Sequence, residues 1–249
     1  MKPGVLITRP ALQANQLMQL AQQQGFDPVP LPLLEIQPLK LAKEEVLAEL
    51  DWARGIVFIS ANAVENLLKN LKDCTILQDK TIIAIGAKTA SVLQHHQIPV
   101  TIQPSSGHTS EDLLQHPALS ADPIQLSNIL IVRGQGGRET LADTLRERGA
   151  SIHYLEVYQR RFPSYDADHL ARVLQHPNLD AILVTSQAAL EHLLQLYQAS
   201  GLEKILSCRL VVPSQRIAAT AQQAGFRKAI LVARSAADND MLNALQSAG

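Results

Sequence analysis

The chain has 249 residues, a net charge of −1, 46% apolar and 18% charged residues, a composition that fits one large or two ordinary globular domains. The near-neutral charge and 4% aromatic content exclude a general pull toward nucleic acid or anionic membrane, and a stacking platform for single strands. No apolar run approaches the roughly 18 residues of a membrane span.

The first strand is expected at Val5, Leu6 and Ile7, close enough to the start to leave no room for a signal peptide. Cys74 and Cys208 lie in no metal or redox spacing. Together these predict a cytoplasmic protein with two reduced thiols. A helix follows and ends at Gly25, where a left-handed cap belongs; a second strand is expected over 29–33. Segment 36–44, with its prolines and charges, reads as a connection. Ile56, Val57 and Phe58 form the next strand, and the helix after it carries Val64, Leu67, Leu68 and Leu71 at helical spacing. Ile83, Ala84 and Ile85 form another, and 100–103 a fifth. Residues 104–128, with Pro104, Pro117 and Pro123, read as loop around one short helix.

The chain then repeats itself in nearly constant register. Ile129, Leu130 and Ile131 answer the first strand, and a helix over 138–148 ends at Gly149 as the earlier one ends at Gly25. A strand over 152–158 and a connection over 160–168 follow. Ile182, Leu183 and Val184, with Leu190, Leu193, Leu194 and Tyr197 behind them, answer the strand at Ile56 and its helix. Val211 and Val212, a last strand over 229–232 and a short capped helix complete the copy. Short unalternated apolar runs fit strands buried on both faces, as parallel sheets require. The fold class is therefore α/β, with two similar flavodoxin-like, doubly wound parallel-sheet domains and a cleft between them. Periodicity leaves two pairings open: each copy forms its own domain, or the first unit of each copy completes the other domain.

Ligands of parallel α/β sheets bind at the carboxyl ends of strands, near helix N-termini. The residues expected there are Thr8 and Arg9, Ser60 and Asn62, Gly86 and Thr89, Arg133, Gly134 and Arg138, Thr185 and Ser186, and Ser214 and Arg216. Hydroxyls, amides, glycines and arginines without carboxylates would suit a large ligand bearing several carboxylates or phosphates. Ser60, Thr89, Ser186 and Ser214 are equally good N-caps, and capping alone explains any one of them. Arg9 and Arg133, at matching strand ends, are not required by capping. Gly134 and Gly136 partly match a dinucleotide fingerprint, with Glu156 where a ribose-binding acid would stand, but Glu139 occupies the third glycine position. No His or Cys pattern suggests a metal. Paired inward carboxylates, a nucleophile elbow and a Walker loop are missing. Tyr158, at the end of its strand, could donate a proton or simply pack.

At these residues the chain resembles the uroporphyrinogen-III synthase family. The resemblance runs through Leu6-Ile7-Thr8-Arg9-Pro10, Phe58-Ile59-Ser60-Ala61-Asn62, Ala84-Ile85-Gly86 with Thr89, Arg133-Gly134 through Arg138-Glu139, Glu156-Val157-Tyr158-Gln159-Arg160, Val184-Thr185-Ser186 and Ser214-Gln215-Arg216. It implies the crossed arrangement, with residues 1–36 and 162–249 as one domain, 37–161 as the other, and two linker strands joining them. It implies conversion of the linear tetrapyrrole hydroxymethylbilane, with loss of water and inversion of ring D through a spiro-pyrrolenine, into a closed macrocycle in heme biosynthesis. No metal or organic cofactor is implied. By this resemblance Tyr158 is the candidate acid, with Ser60 and Thr89 as cleft residues of one domain and Thr185, Ser186 and Ser214 as those of the other; the strand-end reading adds Arg9, Asn62, Arg133, Gly134, Arg138 and Arg216 as binding residues for a substrate that carries eight carboxylates. Ser214-Gln215-Arg216 departs from the Gly- and Thr-containing loop of many relatives, which makes Arg216 a carboxylate ligand and argues against an indispensable catalytic group there. A monomer is the default, and the unstable substrate suggests transient contact with the hydroxymethylbilane synthase that supplies it. The rival readings are a non-catalytic anion-binding module and another α/β enzyme acting on a phosphorylated substrate.

Overall fold

The computed structural model describes residues 2–71, 73–120 and 126–247, without the side chain of Leu12. Pro123, read as part of the loop at 104–128, lies outside them. Ten strands are found among the described residues: β1 (Gly4–Ile7), β2 (Asp27–Pro30), β3 (Glu35–Pro38), β4 (Gly55–Phe58), β5 (Thr81–Ala84), β6 (Asn128–Gly134), β7 (Ser151–Arg161), β8 (Leu179–Leu183), β9 (Arg209–Val212) and β10 (Ile230–Val232).

The chain divides into two compact units, one of Met1–Glu35 with Arg161–Gly249 and one of Ile36–Arg160. The first holds a sheet of order β10-β9-β8-β1-β2, and β3-β7-β6-β4-β5 is the order of the second. In the first sheet every neighbouring pair runs parallel, as do the pairs β7-β6, β6-β4 and β4-β5 of the second. The repeat is thus closed across copies. Strands β1 and β2 complete the sheet of β8, β9 and β10, while β6 and β7 complete that of β4 and β5.

Burial explains why these short runs form central strands. Along β1, Val5 and Ile7 enter one core cluster and Leu6 another. Along β4, Ile56 and Phe58 face one side and Val57 the other, and β6 divides Leu130 and Val132 from Ile129 and Ile131 in the same way. Helices cover both faces of each sheet, so both alternating sets must be apolar. The helices before Gly25 and Gly149 end where the sequence predicts, whereas the one after β4 stops at Leu68, short of the expected Leu71. Gly25 (φ 88°) and Gly149 (φ 92°) are left-handed. The next amides, of Phe26 and Ala150, reach back to the carbonyls of Ala21 and Leu145, closing each helix with a Schellman turn.

Several segments differ from the sequence reading: the strand expected over 29–33 is β2 at Asp27–Pro30, and the connection expected over 160–168 is confined to residues 162–166, between β7 and the helix Ala167–Leu174. Segment 36–44 is not a plain connection, because β3 pairs at the sheet edge and a helix starts at Lys43 (Lys43–Trp52). Its Pro38 is tolerated because an edge strand does not need every ladder donor. The expected strand at 100–103 is reduced to a single bridge between Ile102 and Ile83. Around 104–128 there are two short helices, Ser110–Leu114 and Pro117–Ser120. The first begins with a capping box in which Thr109 and Asp112 bond each other's backbone.

Candidate active site

The sheet of the 36–160 unit brings one group of expected residues together. Because β7, β6, β4 and β5 run parallel, their carboxyl ends lie on one edge. Ser60 follows β4, Arg133 and Gly134 end β6, and Tyr158 stands near the end of β7. The hydroxyls of Ser60 and Tyr158 are 3.1 Å apart. Ser60 also caps the helix Ala61–Leu68 by accepting the Ala63 amide at 3.1 Å. One serine therefore anchors a helix and a phenol.

Tyr158 reaches that position through an irregularity. Arg133 pairs with Glu156, but Gly134 pairs with Tyr158, so β7 carries an extra residue at this point. Such a bulge re-aims side chains, and Tyr158 joins the same core cluster as Val157. Its ring is pressed against Gly134, where a Cβ would lie 2.5 Å from ring carbons Cε2 and Cζ. Only glycine permits this approach. The ring is fully buried, and the Arg160 guanidinium lies 5.9 Å from its centroid.

The arginines are not alike. Arg133 is 5% exposed. Its Nη1 meets Glu139 at 2.9 Å and its Nε lies 3.7 Å from Glu156. The Tyr154 ring lies 4.5 Å from its guanidinium carbon. Tyr154 donates its hydroxyl to Glu139. That bond, together with the one from Arg133, holds the Glu139 carboxyl below its ordinary range. Burial, reinforced by Glu139, pushes the Tyr154 phenol up. Arg133 is thus already neutralised by acids of its own unit. Glu156 also accepts the Gly136 amide at 3.1 Å, occupying a donor that a phosphate would need and counting against the dinucleotide reading. Arg138, in contrast, is exposed and pairs only loosely with Glu111 at 3.3 Å.

A cavity of about 340 Å³ opens at this edge, with Ile59, Ile85, Ile131 and Leu141 among its walls and Arg133, Arg138 and Arg160 around it. Thr89 does not line it. Nor is Thr89 an N-cap, as the sequence suggested: Gly86 caps the helix Ala87–His95, and Thr89 is a buried residue inside it. Gly86 itself lets the 107–108 backbone approach, since a Cβ there would lie 2.8 Å from that of His108. Asn62 lies in the first turn of Ala61–Leu68, its backbone carbonyl accepting the Asn66 side-chain Nδ2 at 2.8 Å.

In the other unit the expected residues gather at the carboxyl ends of the adjacent strands β1, β8 and β9. Ser186 and Ser214 cap the helices Gln187–Ser200 and Gln215–Gln223 by accepting the amides of Ala189 and Ile217. Thr185 is half-buried beside Ser186, and Arg216 is exposed in the first turn of its helix. Thr8 donates to the Leu183 carbonyl at 2.6 Å, tying β1 to β8. Arg9 binds Asp238 at 3.0 Å and the Ala236 carbonyl, so it too meets a carboxylate of its own unit. The sequence reading missed the acids that serve the two strand-end arginines. Glu139 and Glu156 were visible near Arg133, but Asp238 is far from Arg9 in sequence. It also missed Arg160, whose signal was its position two residues after Tyr158. No group of three or more metal-ligating side chains is found among the described residues, and among them no helix is long and apolar enough to cross a membrane.

Comparisons with known proteins agree with this architecture. Residues 15–243 match the family described as Uroporphyrinogen-III synthase HemD. The uroporphyrinogen-III synthase of Escherichia coli (strain K12) is 32% identical over 98% of this chain and 100% of its own length. That of Proteus mirabilis is 33% identical over 84% of this chain and all of its own length. Among solved structures, uroporphyrinogen-III synthetase from Helicobacter pylori 26695 superposes with a TM-score of 0.61 at 19% identity, covering 100% of both chains. A mutant uroporphyrinogen III synthase from Thermus thermophilus gives 0.58 at 19% identity, covering 98% of this chain and 99% of its own. At these identities the structural matches speak for the fold, and the sequence match over 15–243 speaks for descent. The chain belongs to the uroporphyrinogen-III synthase family.

Proposed function

We propose that this chain is a uroporphyrinogen-III synthase, a cyclising lyase of heme biosynthesis that acts in the cytoplasm. It takes hydroxymethylbilane, releases the terminal hydroxyl as water, inverts ring D through a spiro-pyrrolenine and closes the macrocycle as the type III isomer. The family match over residues 15–243 carries this reading.

The substrate already carries its leaving group, so catalysis consists mainly of folding the chain and stabilising the cationic azafulvene left when the hydroxyl departs. In this reading Tyr158 supplies the proton that turns that hydroxyl into water, and Ser60 holds the phenol at 3.1 Å. Such proton donation is worth about 10²–10⁴-fold. Tyr158 is fully buried in this structure, so it meets substrate only after a local opening at the end of β7. Arg138 and Arg216, exposed and at strand-to-helix junctions, receive substrate carboxylates. Thr185, Ser186 and Ser214 offer hydroxyls at the second set of strand ends. Arg9 and Arg133 hold their own loops rather than the ligand, because each already faces a carboxylate. The protein works as a monomer, with at most transient contact with the synthase that makes its substrate.

The test is a coupled assay in which hydroxymethylbilane is generated in situ, the chain is added without metal or cofactor, and the oxidised porphyrins are separated as isomers. Dominant type III product is expected. Only type I product from folded protein would overturn the reading.

A further inference from the structure

We propose that the cavity at the carboxyl edge of the 36–160 unit is a subsite for one carboxylate-bearing pyrrole ring, with Arg160 and Arg138 as its carboxylate ligands. This deepens the synthase reading and rests on it. The cavity has the size of a single ring. About 340 Å³ lies at the small end of the roughly 300–1,000 Å³ typical of small-molecule pockets. It accommodates one ring with its acid arms, not a chain of four rings.

Ile59, Ile85, Ile131 and Leu141 give an apolar wall suited to a flat ring, and the charged groups are arginines. The cations differ in what already faces them. Arg133 is buried and faces Glu139 at 2.9 Å and Glu156 at 3.7 Å, so a further carboxylate would meet an excess of negative charge there. Arg138 is 69% exposed, and its partner Glu111 is 53% exposed at 3.3 Å. Solvated pairs of this kind contribute little and exchange readily. Arg160 is exposed; among the described residues it has no carboxylate partner, and the Tyr158 ring lies 5.9 Å from its guanidinium. A carboxylate bound by Arg160 would therefore place its ring close to the phenol assigned the proton transfer.

The experiment is steady-state kinetics on the full chain with hydroxymethylbilane, porphyrin isomers resolved, for wild type, Arg160→Gln, Arg160→Lys, Arg138→Gln and Glu111→Gln. Arg160→Gln should raise KM about tenfold, equivalent to about 1.4 kcal/mol, with kcat changed by less than about threefold, the signature of lost binding rather than lost chemistry. Arg160→Lys should recover most of that KM. Arg138→Gln should raise KM as well, and Glu111→Gln, which frees Arg138, should lower it. Thermal melts establish folding; were Arg160→Gln unfolded, the exposed Arg138 variant would decide by the same KM criterion. Unchanged KM in the folded glutamine variants, or a fall in kcat at constant KM, with type III product retained, overturns the subsite and leaves the synthase reading standing. Type I product alone from wild type overturns the synthase reading itself.

Discussion

The hydroxyls of Ser60 and Tyr158 meet at 3.1 Å, although 98 positions separate them in the chain. Ser60 is held as the cap of Ala61–Leu68. Tyr158 is held by the bulge in β7 and by the flat approach of Gly134. The proton chemistry assigned to the phenol thus depends on three backbone features, each belonging to a different part of the second sheet.

Removing either hydroxyl should separate their roles. Tyr158→Phe is expected to lower kcat by about 10²-fold or more, the typical range for loss of a proton donor, with little loss of stability. Ser60→Ala should cost about 1 kcal/mol through the lost cap and lower kcat less. In the double variant the kinetic effects should fall short of additive, since residues sharing a hydrogen bond act as a unit. Isomer-resolved kinetics and urea denaturation of all three variants check this; a fully active Tyr158→Phe would remove the acid assignment.

Gly134→Ala should mimic Tyr158→Phe without touching the phenol. The new Cβ would stand 2.5 Å from the ring, forcing Tyr158 away from Ser60. Overpacking of this kind costs about 1–3 kcal/mol. The expected result is a lower melting temperature together with a fall in kcat. A variant that melts early but keeps its kcat would show that the seat of the ring does not matter for turnover.

The two strand-end arginines should behave as fold residues. Arg9→Gln removes the ion pair with Asp238 and the hydrogen bond to the Ala236 carbonyl, and a hydrogen bond made by a charged group contributes about 1.5–3 kcal/mol. Stability in urea should fall by about that amount while KM moves less than about twofold. A large rise in KM at unchanged stability would restore Arg9 as a substrate ligand.

Acid should weaken the first unit through Asp180. Burial acts to raise its carboxyl, but hydrogen bonds from Arg209 (Nε at 2.9 Å) and Lys228 outweigh burial and hold it below its ordinary 3.8. A depressed folded value means its contribution is present above 3.8 and is lost as pH falls through the lower folded value. Asp180→Asn should therefore destabilise the protein at neutral pH and flatten the acid limb of its stability curve below about pH 4. Denaturation followed across that range is the check, and parallel acid limbs in wild type and variant would contradict it.

Much of the fold was legible because its determinants are local. Apolar runs of four residues, helical spacing behind them, and Gly25 and Gly149 after the helices all act within a few positions of themselves. The serines at 60, 186 and 214 proved to be caps, which is also a local property. Thr89 was misread as a cap because Gly86 does that work one turn earlier. The edge strand β3 was missed because Pro38 and its half-exposed neighbours show neither a buried run nor a clean alternation.

The sequence by itself determined most of the elements, the duplication and the chemical character of the strand ends, since propensity, capping and alternation are written in neighbouring residues. Only the tertiary structure decided which copies pair, that a bulge turns Tyr158 toward Ser60, and which arginines are already neutralised. Those outcomes rest on contacts between residues far apart in the chain, such as Arg9 with Asp238 and Ser60 with Tyr158. A short stretch of sequence shows that a charge or a hydroxyl is present, but the packing of distant segments determines what faces it.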